Sequence, residues 1–492
     1  MGSFGVTFLG HQGWLLQSRT TAWLIDPLLR EGFGDAHALD YRVYPPRILD
    51  LDRFPEVSAV FLTHEHDDHF DIPSLATLDR ATPIFLSARS SCAARQILET
   101  MGFVVVPLEP GVVVEQGDLE LVPFVGNHLA SSLGDEWDAL PISVRQKDGE
   151  GAFFSMVDVT LTPRHVAWAR AHVKAPGLVT WSNNTLDLSH MAPYLPEDRD
   201  ATPRSVLALR SAHDMIVAGW GCPAATLVCA GGFAFTGERA WLNERVFSVD
   251  ADAMCGEMAR ACAPGRFVAA TPGQTFSMEG GSLVRVDEAS AFLRPAPREE
   301  WPPRRRAAGR VIPDYAPATG QRSCSLQERQ ELEAALDAFA ATLVGGVTFK
   351  SLHSLLSAEL PGRRLTLAFA VRHDGSADRL VFAYEPSSCS FSAVASKEPE
   401  RSYLAGLSCW ASDLLAVLRG ELGPIAIQFG RATLWNALPR RFRFDIFDDL
   451  YRTSHPLRRP EAFLRTYEAL WKAASATPVV LRTARASGDA GA

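Results

Sequence analysis

Apolar positions near the start of the chain come in short alternating runs. Gly5 to Leu9 reads as a strand, Gly10-His11-Gln12-Gly13 interrupts it, and Trp14 to Leu16 and Ala22 to Ile25 follow as two more strands. Asp26-Pro27 closes the last of these. Tyr44 to Arg47 is a stiff approach to an apolar run, Val57 to Leu62. Beyond it the pattern predicts a short helix over Ile72 to Leu78, a strand over Thr82 to Leu86, a helix over Ala93 to Met101 and a strand over Gly102 to Val106. Leu119 to Phe124 is a further strand. Ile142 to Arg145 and Phe153 to Val157 form a hairpin about Asp148-Gly149. Helices over Pro163 to Val173, Pro203 to Ala218 and Ala251 to Ala261 then alternate with strands over Leu178 to Ser182, Thr226 to Cys229 and Phe267 to Ala270. This alternation predicts a layered α/β sandwich.

The pattern breaks between Arg294 and Ser323, where Pro, Arg and Ala dominate and Arg304-Arg305-Arg306 forms a charge run. Such composition reads as an extended linker with a solvated charged face. A second unit starts near Leu326 with an amphipathic helix to Leu343. Paired strands over Arg364 to Arg372 and Leu380 to Glu385 follow, then a helix over Tyr403 to Leu418, a strand over Ile425 to Phe429 and a terminal helix over Glu461 to Lys472. The expected organisation is a first domain over 1–292, a linker over 293–325, an α+β domain over 326–485, of lipid-carrier type or a substrate cover, and a disordered tail over 486–492.

A length of 492 residues accommodates this division. A net charge of -9 argues against a nucleic-acid backbone as ligand. No apolar run reaches the length of a membrane span and no signal peptide is evident. The eight cysteines are scattered without a Cys-x-x-Cys pair, which predicts reduced thiols and a cytoplasmic location.

The chemistry concentrates in Thr63 to Asp71, which holds three histidines and four carboxylates in nine residues directly after the Val57 strand. Burying so many ionisable groups is costly unless a cation shares them. Neutral imidazole and carboxylate are ligands for zinc and iron. The spacing His64-x-His66-x-Asp68-His69 offers one pair of ligands and then another, enough for two adjacent metals.

This pattern after a strand resembles the signature of the metallo-β-lactamase superfamily. The resemblance implies an αββα sandwich with a metal site at one edge of the sheets. It implies that His64 and His66 hold a first metal and that Asp68 and His69 hold a second. It further implies His128 as the third ligand of the first metal and Asp158 as a bridging or completing carboxylate. Asp26 would orient a ligand from beside the metals. Where many hydrolases of the superfamily place a final histidine, this chain has Ala230-Gly231-Gly232. His190 is the candidate replacement and His213 a more remote one, while His11 reads as a pocket wall.

Val157 to Thr160, Ala230 to Phe233 and Thr271 to Phe276 narrow the resemblance. Together with the Thr63–Asp71 stretch they are similar to the catalytic part of the cytidine monophosphate N-acetylneuraminic acid hydroxylases. Those enzymes also carry a Rieske domain, whose ligands this chain lacks. Two activities follow as expectations. One is an iron-dependent oxygenase or hydroxylase of a small polar metabolite, with one or two iron ions and an external electron donor. The other is a hydrolase, with zinc as the alternative metal and Asp68 orienting or deprotonating a water that attacks an ester, lactone, amide or phosphodiester.

Overall fold

The computed structural model describes residues 3–34, 39–126, 137–147, 149–182, 204–229, 233–244, 246, 249–302, 314–345, 367–373, 378–385, 387–436, 446–475 and 480–484. Two large sheets dominate the first half. One runs in the order Ser282–Asp287, Thr275–Glu279, Ser3–Gly10, Gly13–Gln17, Ala22–Ile25, Ala59–Leu62, Ile84–Ser87, Val105–Leu108. The other runs Val114–Gln116, Leu119–Pro123, Ile142–Gln146, Ala152–Ser155, Pro176–Ser182, Ala225–Cys229, Phe267–Ala269.

Their inner faces meet in one core, where Val6, Trp14, Trp23 and Phe61 face Leu121, Val144, Phe153 and Leu227. The rings of Trp14 and Phe153 touch across it, centroids 5.3 Å apart. Each fully buried Phe or Leu there contributes roughly 1.5–3 kcal/mol. Helices cover both outer faces: Ile72–Leu75 and Cys92–Thr100 on the first sheet, and Pro163–His172, Arg204–Trp220 and Ala251–Ala261 on the second. The architecture is the αββα sandwich.

Topology positions the site. Ala22–Ile25, Ala59–Leu62 and Ile84–Ser87 are parallel neighbours in the first sheet, and Ala152–Ser155, Pro176–Ser182 and Ala225–Cys229 are parallel neighbours in the second. Parallel strands align their carboxyl ends, where open α/β sheets bind ligands. Asp26, Thr63 and Ser182 stand at or just past those ends, with Asp158 three residues beyond Ser155.

The C-terminal unit is a five-stranded sheet in the order Ser390–Val394, Arg379–Glu385, Leu367–Arg372, Ala405–Trp410, Thr433–Asn436, packed against the Leu326–Gly345 and Ala411–Arg419 helices. Two elements differ from expectation. Ala405–Trp410 is a strand and not the first part of a helix, because it lies between two partner strands with all six residues buried. A central strand buried on both faces loses its alternation, so its period does not tell it from a buried helix. Ile425–Gln428 is a short helix and not a strand. It follows Pro424, which favours a first helical turn, and four apolar residues carry no distinguishing period.

Packing crosses the expected 293–325 boundary. Leu293–Pro295 pairs with Arg47–Leu49 of the first unit, while Asp413 of the second accepts backbone bonds from Ala318 at 2.9 Å and Thr319 at 3.0 Å. One apolar cluster joins Phe33, Tyr41, Phe233 and Phe235 to Phe429 and the helices of the C-terminal unit. The Pro460–Ala474 helix lies on the Ile72–Leu75 and Cys92–Thr100 helices. The chain then bonds back to the first sheet, Val57 N to Arg482 O at 3.0 Å and Asp79 N to Leu481 O at 2.9 Å. The 486–492 tail and the Arg304 to Arg306 run fall outside the described residues. No helix among the described residues is long and apolar enough to cross a membrane.

Candidate metal centre

The Thr63–Asp71 loop is held from several directions. Asp71 caps the Ile72–Leu75 helix by accepting from Ser74 N at 2.9 Å. Asp138 accepts from Glu65 N at 3.0 Å, and Glu65 accepts from Ser91 N at 2.9 Å and Ser91 Oγ at 2.8 Å. His69 N and Phe70 N both bond to His66 O. These contacts turn His64 and His69 inward, where both are completely buried.

Asp26, with φ +45°, aims its carboxylate back at this loop. It accepts from Thr63 N at 2.8 Å, Thr63 Oγ at 2.6 Å and His69 Nδ1 at 2.9 Å. Because the single Thr63 hydroxyl proton goes to Asp26, Thr63 Oγ can only accept from His64 Nδ1, 3.0 Å away. His64 therefore carries its lone pair on Nε2. That atom is buried without a hydrogen-bond partner, 3.8 Å from Asp158 Oδ2. His69, tied through Nδ1, turns Nε2 to Asp158 Oδ2 at 3.1 Å and towards Asp68 Oδ2 at 3.7 Å.

Two donor sets result. His64, His69 and Asp158 offer ligand atoms within 4.8 Å of one another, and so do His11, Asp68 and His69. The sets overlap at His69. A buried imidazole nitrogen without a partner beside a carboxylate suits a cation, so these residues fit a transition metal. His66 lies in neither set. Its ring is 4.6 Å from that of His64 and it is half-buried. His128, His190 and Ala230 to Gly232 fall outside the described residues. His213 packs on Phe267, ring centroids 4.9 Å apart, away from this cluster.

The electrostatics show what the centre attracts. Burial, together with His69 and His66, holds His64 well below the usual imidazole value and so neutral. Burial opposes charge on His69 too, but Asp68 and Asp26 outweigh it and hold its pKa well up. Asp68 is held well below the carboxylate range despite burial, by His69 and by a 2.7 Å bond from His11 Nε2. Asp158 is likewise lowered despite burial, through His69. The cluster thus concentrates negative charge and takes up positive charge, by proton or by metal.

The sequence marks His11 as a pocket wall before a ligand and does not single out Gln12. His11, expected as a pocket wall, donates to Asp68 from a turn at φ +55°. Gln12 Nε2 donates to Asp158 Oδ1 at 3.2 Å and to Ser182 Oγ, and Ser182 Oγ also lies 3.2 Å from Asp158 Oδ1. Cys229, at the end of its strand, donates to Gln12 Oε1 at 3.6 Å. A Gly-His-Gln-Gly turn after a strand marks the place, but no spacing announces these partners.

Residues 21–201 match the family model described as the β-lactamase superfamily domain. That stretch of the chain is similar to this domain. No curated protein matches the chain. Among solved structures it is similar to a possible metal-dependent hydrolase from Veillonella parvula, at 16% identity over 56% of this chain and 99% of that one, with a TM-score of 0.39. It is also similar to isothiocyanate hydrolase from Delia radicum gut bacteria, at 16% identity over 56% and 100%, TM-score 0.38. A third similar structure is CmlA, a diiron β-hydroxylase from Streptomyces venezuelae, at 16% identity over 56% and 54%, TM-score 0.36. At this level of similarity none of them assigns a reaction to this chain.

Proposed function

We propose that the chain is an iron-dependent oxygenase or hydroxylase of a small polar metabolite. The observation that carries this reading is the donor set His64, His69 and Asp158, two buried imidazoles and one half-buried carboxylate gathered within reach of one another. That set with open positions is the one non-haem ferrous oxygenases use. Iron held there, with His66 and His128 as further candidate ligands, would supply the redox chemistry of dioxygen activation, whereas zinc would supply Lewis acidity alone. The residues do the rest. His64 presents a neutral nitrogen, Asp26 fixes the His69 ring, and Gln12 and Ser182 hold one Asp158 oxygen so that the other faces the histidines. Electrons would come from an external donor.

Hydrolysis is the second reading, and Asp68 favours it. Its carboxylate is fixed by His11 beside His69 and is 24% exposed, so it can accept from a water or substrate hydroxyl. Its low pKa makes it better at orienting such a group than at keeping its proton. The test is reconstitution of metal-depleted protein with iron or zinc, assayed with and without air. Dioxygen uptake with ascorbate, and cleavage of 4-nitrophenyl acetate and bis(4-nitrophenyl) phosphate, are the readouts. Oxygen uptake by the iron form alone supports the oxygenase. Ester or phosphodiester turnover by the zinc form without air overturns it in favour of hydrolysis. A His64→Ala/His66→Ala variant that stays folded and keeps its full metal content would sink both.

A further inference from the structure

A cleft of about 230 Å³ opens on the outer face of the second sheet, away from the strand ends that carry the metal centre. Leu119, Leu121 and Val144 of its floor strands point into the core between the sheets. Side chains alternate along a strand, so Glu120, Val122, Ser143 and Arg145 point the other way. The register sets Glu120 opposite Arg145 and Val122 opposite Ser143, which gathers all four into one patch. The wall is the stretch from Ala171 to Lys174, where the Pro163–His172 helix ends. His172 and Lys174 are exposed, so the cleft is open to solvent.

The polar groups of this cleft are mostly donors with nothing to donate to. Arg145 gives only its Nε to Glu120, so the guanidinium is held in place with both Nη groups unspent. The two side chains of that pair are 24% and 14% exposed, and such a pair adds little to stability by itself. Ser143 is 3% exposed, and its hydroxyl makes no hydrogen bond among the described residues. Lys174 likewise has no ion-pair partner among them. His172 donates from Nδ1 to Trp168 O at 2.7 Å and stacks on the Trp168 ring, centroids 4.1 Å apart. Its neutral ring therefore keeps a lone pair on Nε2.

We propose that this cleft is a phosphate site, separate from the metal centre, which takes inorganic phosphate or the phosphate group of a small metabolite. A guanidinium fork, an ammonium and a hydroxyl around one space call for an anion with several oxygens. A planar carboxylate is satisfied by a single guanidinium fork, whereas a phosphate has oxygens left for Ser143 and Lys174. His172 Nε2 can accept from a phosphate hydroxyl, which a carboxylate lacks. The helix presents its carbonyl end here and Glu120 is acidic, and both oppose an anion. Glu120 is spent on Arg145, however, while Lys174 keeps its full charge. The volume is below the roughly 300–1,000 Å³ of drug-sized sites, which suits a small phosphate ester and not a dinucleotide. The site stands whichever reaction the metal centre carries.

The test is titration calorimetry of the full chain as purified, with sodium phosphate, glycerol 2-phosphate or sodium succinate, at an ionic strength held constant with sodium chloride. Wild type should bind phosphate with a Kd of about 1 mM or tighter, and succinate at least about tenfold more weakly. Ser143→Ala and Lys174→Met should each raise the phosphate Kd about tenfold. The double variant Glu120→Gln/Arg145→Gln should show no saturable binding. Ser143→Ala decides, because it changes no charge. General attraction of anions to a basic surface would survive it, and so would phosphate bound at the metal centre. Wild-type affinity in Ser143→Ala therefore overturns the proposal, as does the absence of saturable heat from wild type up to about 10 mM phosphate. Succinate binding as tightly as phosphate overturns the phosphate assignment. Should Ser143→Ala not fold, an unchanged Kd in Lys174→Met has the same force. Glycerol 2-phosphate binding at least as tightly as phosphate supports the site and identifies an ester as its ligand, and weaker binding supports it with the free anion.

Discussion

Replacing Gln12 by Leu removes a buried amide of nearly the same size from the back of the metal centre. Its Nε2 lies 3.2 Å from Asp158 Oδ1, on the far side of the carboxylate from the oxygen that meets His69 and His64. A hydrogen bond to a charged acceptor contributes about 1.5–3 kcal/mol. Part of that is recovered, because Ser182 Oγ still reaches the same oxygen. What Leu cannot restore is the orientation of the carboxylate, and loss of such an outer partner typically weakens metal binding by about 10–100-fold, or about 1.4–2.7 kcal/mol. The assay is zinc affinity by competition with a chromophoric chelator, alongside elemental analysis of the purified protein. Gln12→Leu should bind about 10–100-fold more weakly and, when both are stripped of metal, should lose no more than about 1.5–3 kcal/mol in urea unfolding. Ser182→Ala should show a smaller loss in the same direction. If Gln12→Leu keeps its zinc affinity within about twofold, Asp158 is not positioned by this amide, and the reading of the centre around its second oxygen is wrong.

Two further outcomes probe the scaffold. Asp413→Ala strips three bonds from Ala318 and Thr319, so it should cost about 2–3 kcal/mol in urea unfolding and admit protease between residues 314 and 325; unchanged protection would mean that the segment is held by Tyr315 and Trp410 instead. Asp138 is raised by burial to about 6, above its unfolded value, so its contribution to stability is present below about pH 4 and is lost as pH rises through 6. Asp138→Asn should therefore lessen the decline in stability between pH 5 and pH 8 by about 1.4 kcal/mol, and an identical pH profile would refute the shift.

Much of the site was readable because its chemistry is local. Thr63 to Asp71 announces a metal by density alone, and the apolar run before it announces the strand. Asp26 was readable through Asp-Pro at a strand end. Gln12 was not, since it acts on Asp158 across 146 positions of sequence and a lone Gln carries no period. The same limit explains the C-terminal helix. Phe463, Leu464, Tyr467, Leu470 and Trp471 mark an apolar face, but periodicity says only that such a face is covered, not that Phe70 and the Cys92–Thr100 helix cover it. The strand at Ala405–Trp410 failed for the opposite reason. Burial on both sides erased the alternation that would have identified it.

The return of residues 480–484 to the first sheet has a consequence for how the chain is made. Thr483 meets Thr82 across 401 positions of sequence, and Tyr467 covers Phe70 from nearly as far. During synthesis at about 5–20 residues per second, the apolar surface of the Ile72–Leu75 and Cys92–Thr100 helices would wait on the order of 20–80 s for its cover. Throughout that interval the loop bearing His64 and His69 has no Pro460–Ala474 helix beside it. Nascent chains stalled before residue 460 should thus bind hydrophobic-surface chaperones at Cys92–Thr100, and the metal centre should reach its final rigidity only after residues 460–484 have left the ribosome.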